Sequence, residues 1–162
     1  GPGYGIEALR RVRQTLPNVH LLLVGAGPLR EELEALAKTL GVDDITHFLG
    51  TLRDLNPIYN ALDLLIQPSI SEAFGLAVLE AVQCGVPVIV SEAGGLPEIA
   101  AFAPHSKIVP IGDSTALADA VITLWRDKPP RQPATNLDAL FSAEAVAQQH
   151  LVLYRSVSET QG

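Results

Sequence analysis

Five short apolar runs, each followed by a segment of helical periodicity, most constrain what this chain can fold into. Residues 20–24 (HLLLV), 45–49, 63–67, 86–90 and 107–111 are too short for helices and mostly apolar. That is the pattern of strands covered on both faces. Helical spacing fills the intervals at 6–16, 29–40, 56–62 and 74–84, in a short helix opening at Pro97, from Asp113 to about Trp125, and behind Ser142. Local chemistry marks the ends. Pro17 stops the first helix and Gly41 the second. Asn56-Pro57 predicts an N-cap followed by proline at the first helical position. Asp113 and Ser142 are expected caps, with Phe141 and Val146 spaced for a hydrophobic staple. Residues 127–136 are proline-rich and polar, and predict a loop. Strands alternating with helices in this way close into a doubly wound α/β domain with a parallel sheet flanked by helices.

Composition limits the remaining choices. A chain of 162 residues fits one domain, and 48% hydrophobic content is enough for a core without disulfides or metal. Its single cysteine, Cys84, fits a reducing compartment, and a cytoplasmic location is expected. No apolar run approaches the roughly 20 residues needed to span a bilayer, and the start lacks a signal-peptide pattern. The formal charge of −7 is spread along the chain, which disfavours nucleic acid as a partner. Arg10, Arg11 and Arg13 are expected to form a solvated helix face. Scattered histidines and one cysteine offer no metal-ligand spacing, so neither a metal nor a cofactor is expected. The chain has no methionine, and Gly1-Pro2-Gly3 resembles a protease-cleaved tag remnant. Residues 1–4 are therefore set aside as remnant or linker, and 5–162 taken as a single domain.

In such a fold ligands bind beyond the carboxyl ends of the strands. The loops there are 25–28, 50–56, 68–75 and 92–97. The richest stretch is PSISEAFGLAVLEAVQCGVPVIVSEAGGLPE, residues 68–98. Glu72 precedes a helix, and Glu80 lies within it, roughly 7–8 Å further along the axis. Glu80 is the only charge between Ala73 and Val90, so it faces water or has a partner. Between the acids, Phe74, Gly75 and Leu76 open the helix, where free amides favour phosphate oxygens. Ionised carboxylates accept hydrogen bonds from vicinal hydroxyls. Acid, amide cradle and acid suit a sugar, a pyrophosphate and a ribose. Spacing alone equally allows an exposed loop acid, a solvated helix-face acid and a glycine kept for packing.

This stretch resembles the signature of family 4 retaining glycosyltransferases (glycosyltransferase group 1), which have the GT-B fold. The family pattern runs Pro-Ser, two residues, Glu, one residue, Phe-Gly, then Glu-Ala, Gly-x-Pro-Val and Gly-Gly-x-Pro-Glu, and every position matches. The similarity extends through VGAGPLREELEALA, the FLG at 48–50, Asp63, the GD at 112–113 and the final helix up to Tyr154. It implies the Rossmann-like C-terminal half of a GT-B fold, binding a nucleotide-diphospho-sugar such as a UDP-, GDP- or ADP-sugar. Residue by residue, it implies that Glu72, the catalytic candidate, contacts hydroxyls of the transferred sugar. Glu80 would bind the ribose, and the amides of Phe74, Gly75 and Leu76 the diphosphate. Gly25 and Gly27 would lie near the nucleotide and Gly50 near the base. The anomeric configuration would be retained, with the leaving diphosphate stabilised electrostatically.

The resemblance also sets limits. Family members usually open this domain with a strand and loop that supply an Arg and a Lys to the phosphates. Here Tyr4 holds the lysine position, before Gly5, and residues 102–107 (FAPHSK) replace a glycine-rich turn. His105 within them is expected to be a surface histidine. The N-terminal acceptor-binding domain is absent, so the isolated chain is expected to be inactive. The expected partners are the nucleotide sugar and that missing domain, with peripheral membrane contact of the full enzyme allowed. Rival readings are a regulatory or interaction module on the same fold and half of a sugar-nucleotide epimerase. A dinucleotide-binding dehydrogenase is disfavoured: Arg30 replaces the third glycine, and Asp43 and Asp44 precede the second strand instead of following it.

Overall fold

The structure, a computed structural model, describes residues 1–135 and 137–159, with the side chains of Asp138, Ser158 and Glu159 excepted. Asn136, at the end of the expected loop, and residues 160–162 of the expected domain lie outside the described residues. Strands and helices alternate as the apolar runs predict: α1 (Pro2–Thr15), β1 (Leu21–Val24), α2 (Arg30–Leu40), β2 (Thr46–Gly50) and α3 (Asn56–Ala61). Then come β3 (Leu65–Gln67), α4 (Leu76–Gln83), β4 (Val88–Ser91), α5 (Leu96–Ala100), β5 (Ser106–Val109) and α6 (Ser114–Asp127). Helices α7 (Leu137–Phe141) and α8 (Ala143–Glu159) complete the chain. The fold is α/β and Rossmann-like.

All strand pairs are parallel, but the strands form two hydrogen-bonded sheets where one was expected, β1-β2 and β3-β4-β5. Helix α1 spans the junction. A β-carbon on its buried Gly5 would stand 3.2 Å from Ile66 of β3 and 3.9 Å from Leu21 of β1. The two sheets are thus tied by side-chain packing on one helix. Strand β4 explains why this region reads as apolar throughout. Val88 and Val90 pack into the cluster with α4 and α5, while Ile89 packs on the other side with Ala8, Val12 and Leu117. All three are 0% exposed; burying side chains of this size stabilises by about 1.5–3 kcal/mol each. A third cluster joins Ile6 and Leu9 of α1 to Ala37 of α2 and to Val42 and Ile45.

Several local expectations are corrected. Helix α1 starts at Pro2, so residues 2–4 form its first turn and do not precede it. Asn56 is the first residue of α3 and not its cap, which is Leu55; the Asp54 carboxylate takes the Asn56 amide at 3.0 Å. Arg10 and Arg11 of α1 are exposed as expected, and Arg11 and Arg13 also carry surface ion pairs. Arg11 pairs with Asp119 of α6 at 2.8 Å, and both guanidinium nitrogens of Arg13 reach Asp44 at 2.7 Å. The Arg13 contact holds the exposed Asp44 carboxyl below its ordinary pKa. Asp113 caps α6, its carboxylate accepting the Ala116 amide at 2.8 Å. Ser142 caps α8 through the Ala145 amide at 3.2 Å. Phe141 sits edge-on to both Phe74 and Phe102, at 5.7 and 5.5 Å between ring centres. The segment 102–107 therefore contributes an aromatic to the core, and the His105 carbonyl accepts the Val88 amide at 3.1 Å.

Candidate functional site

Because every strand is parallel to its neighbour, the loops carrying the expected site residues all leave from strand carboxyl ends. They gather into two groups. In the first, the loop after β1 meets the end of β2, where the Gly25 amide donates to the Gly50 carbonyl at 2.8 Å. Gly27 follows on the exposed stretch leading to α2. Arg30, at the start of α2, is bonded to Glu34 at 2.8 Å, and its guanidinium lies 5.6 Å from the Phe48 ring centre.

The second group is built on β3, β4 and α4. Ser91, 1% exposed at the end of β4, donates its hydroxyl to the Ser69 carbonyl at 2.6 Å, which pins the loop leaving β3. Gln67, the last residue of β3, donates its side-chain amide to the Ser69 hydroxyl at 3.1 Å and to the Glu72 carboxylate at 3.4 Å. The Gly94-Gly95 turn lies directly against the backbone of 72–74. A β-carbon on Gly94 would stand 1.7 Å from the Glu72 carbonyl oxygen, and one on Gly95 3.0 Å from that of Ala73. Gly94 also has φ +51°, in the left-handed region, so glycine is needed there twice over. Glu72 is therefore held by its own backbone packing and by Gln67.

Gly75 caps α4 with φ 100°, and its carbonyl accepts the Val78 and Leu79 amides at 2.9 and 3.1 Å. Among the described residues, no backbone acceptor takes the amides of Phe74, Gly75 or Leu76. Three donors thus stand free at the positive end of a helix, a site suited to an anion. Glu80 follows one turn on. It is exposed, and its Oε2 accepts the Tyr59 hydroxyl at 2.7 Å. Tyr59 itself is 5% exposed. Burial, then the hydrogen bond and charge of Glu80, raise its pKa above the usual phenol range, so it remains a donor. The acid expected either to face water or to have a partner does both.

Sequence reasoning missed Tyr59, Gln67 and Ser91, and it placed Gly94 in the 92–97 loop and the Gly-Gly-x-Pro-Glu pattern without its contact to Glu72. A signal for Tyr59 existed: a lone acid on an apolar helix and an aromatic hydroxyl in the core each require a partner. Tyr4, at the position where a lysine was expected, lies in the first turn of α1, and a β-carbon on Gly112 would be 3.3 Å from its hydroxyl. Among the described residues, no three metal-ligating side chains gather, and no helix is long and apolar enough to cross a membrane.

Comparison with known proteins adds to this geometry. The family model described as glycosyl transferases group 1 matches residues 1–127. The N-acetyl-alpha-D-glucosaminyl L-malate synthase of Bacillus anthracis is 38% identical over 108 residues, covering 67% of this chain and 28% of that protein. Among solved structures, sucrose-phosphate synthase from Thermosynechococcus elongatus superposes with a TM-score of 0.77 at 33% identity, covering 99% of this chain and 44% of that one. Anabaena HepE in complex with UDP and glucose gives a TM-score of 0.81 at 27% identity, covering 96% and 45%. The chain spans less than half the length of each of these three proteins.

Proposed function

The chain belongs to the group 1 glycosyl transferases, and from that premise we propose that it is the donor-binding half of a retaining enzyme. The observation that carries this reading is the order along one loop and helix: Glu72, three free amides, then Glu80, with the 72–74 backbone seated on the Gly94-Gly95 turn. Glu72 accepts hydrogen bonds from hydroxyls of the transferred sugar. The amides of Phe74, Gly75 and Leu76 hold the diphosphate, and Glu80 takes the ribose hydroxyls. Gly25 and Gly27 face the nucleotide and Gly50 the base. A uridine nucleotide is the first candidate, because HepE, similar in fold, was solved with UDP and glucose.

Under this reading the chain contributes positioning and charge stabilisation of the leaving diphosphate and supplies no nucleophile of its own. Unpaired amides at the start of α4 support that role, since helix-terminal N–H groups need no reorganisation as charge develops. An N-terminal acceptor-binding domain completes the cleft, and the isolated chain transfers no sugar. The cationic partners of the phosphates come from outside the residues named, Tyr4 having replaced the expected lysine. A reducing, cytoplasmic setting is part of this proposal, and the single thiol of Cys84 is compatible with it.

Calorimetric titration with UDP, GDP, ADP and their sugar conjugates tests the proposal. Saturable binding of one nucleotide supports the donor half and names the base. Glu80→Ala is expected to weaken that binding by about 1–3 kcal/mol. Unchanged affinity in this variant would remove the ribose role.

A further inference from the structure

We propose that Tyr59 is a positioning residue for the nucleotide site: it fixes Oε2 of Glu80 so that Oε1 is presented to the ribose hydroxyls in one orientation. This rests on the ribose role proposed for Glu80. Three observations carry it. The Tyr59 hydroxyl donates to Glu80 at 2.7 Å from a ring that is 5% exposed, packed in the cluster of Val78, Leu79 and Val82. A ring so enclosed cannot swing away from the carboxylate. Burial and the neighbouring carboxylate also hold the Tyr59 hydroxyl above the usual phenol range, which keeps it a donor.

The third observation is what holds Tyr59. Arg131 donates from its guanidinium to the carbonyls of Tyr59 and Asn60, at the carboxyl end of α3. Its neighbours bind the carboxyl end of α4: the Gln132 amide donates to the Gly85 carbonyl at 3.2 Å, and the Ala134 amide to that of Val82 at 3.3 Å. A β-carbon on Gly85 would stand 2.8 Å from the Pro133 nitrogen, so this strap lies tight on the helix end. One segment of four residues therefore stitches together the two helices that carry Tyr59 and Glu80. The cation is at backbone carbonyls, where it complements the negative end of a helix, and leaves the carboxylate free for the ligand. An acid held in this way has lost its rotamer freedom during folding, and binding a diol no longer costs that ordering.

The test is titration of the whole chain with UDP and with 2′,3′-dideoxy-UDP, which lacks both ribose hydroxyls. The wild type is expected to prefer UDP by about tenfold or more, the loss expected when hydrogen bonds to a charged group disappear. Tyr59→Phe keeps the ring and should cut UDP affinity by about three- to tenfold while leaving the dideoxy affinity unchanged. The preference then narrows, which general damage would not cause, since damage weakens both ligands alike. Arg131→Gln, at an exposed position, should narrow it in the same direction by a smaller factor, with thermal unfolding of both variants confirming the fold. Glu80→Ala separates the two layers of the argument. If it removes the preference while Tyr59→Phe retains it in full, Tyr59 has no positioning role and the ribose reading of Glu80 stands. If Glu80→Ala leaves the preference intact, the ribose reading falls and the role of Tyr59 with it.

Discussion

A β-carbon placed on Gly25, Gly27 or Gly50 meets nothing within 4 Å, whereas one on Gly75 would stand 2.6 Å from Leu96 and one on Gly94 1.7 Å from the Glu72 carbonyl. The two groups of loops thus keep glycine for different reasons. After β3 and β4 the missing side chain lets one loop lie on another, and the fold itself demands it. After β1 and β2 no protein atom competes for the space. At Gly27 the backbone is not even in the left-handed region, so neither sterics nor conformation within the chain requires glycine there. The packed group is fixed by contact, whereas in the open group Gly25 and Gly50 are held to glycine by their positive φ alone.

Substitutions can break or sharpen this contrast. Gly94→Ala combines left-handed strain with a collision against backbone that has no flexible end to give way. It should destabilise by about 3 kcal/mol or more, read as a lowered urea midpoint. An alanine tolerated there would mean that the 72–74 backbone is not clamped. Glu72→Ala removes no core packing and should cost about 1 kcal/mol of affinity for the sugar-bearing donor alone. Equal losses for the free nucleoside diphosphate and its sugar conjugate would count against its assignment to the sugar. Gly27→Ala should change stability by less than about 0.5 kcal/mol yet lower nucleotide affinity several-fold. Were both quantities unmoved, the open loop would have no part in binding, and the contrast would reduce to one of packing density.

Legibility from sequence followed the distance over which each feature is determined. The run around Val88, Ile89 and Val90 announced a strand buried on both faces, because the reason lies in the run itself. Asp113 and Ser142 were readable as caps since each serves an amide three residues away. The cap of α3 was misassigned by one position, because the helix opens from Leu55, whose side chain carries no capping signal. Helix α7, five residues long and following a proline-rich stretch, is too short for periodicity to register. The division into two sheets was out of reach, because an apolar run does not say which neighbour it ladders with. In the site, Glu72, Gly75 and Glu80 stood out by spacing and by resemblance. Tyr59 did not, being 21 residues from the acid it touches, and neither did the dependence of Gly94 on the Glu72 carbonyl.

The seating of the Glu72 backbone on Gly94 has a consequence for calorimetry and kinetics. A loop already immobilised by its own chain contributes no disorder-to-order transition when a ligand arrives. Association at this end of the molecule should accordingly resemble docking into a rigid mould, with a heat-capacity change no larger than the ligand's own burial requires. Its rate would then be set by encounter and orientation, with no loop closure to wait for.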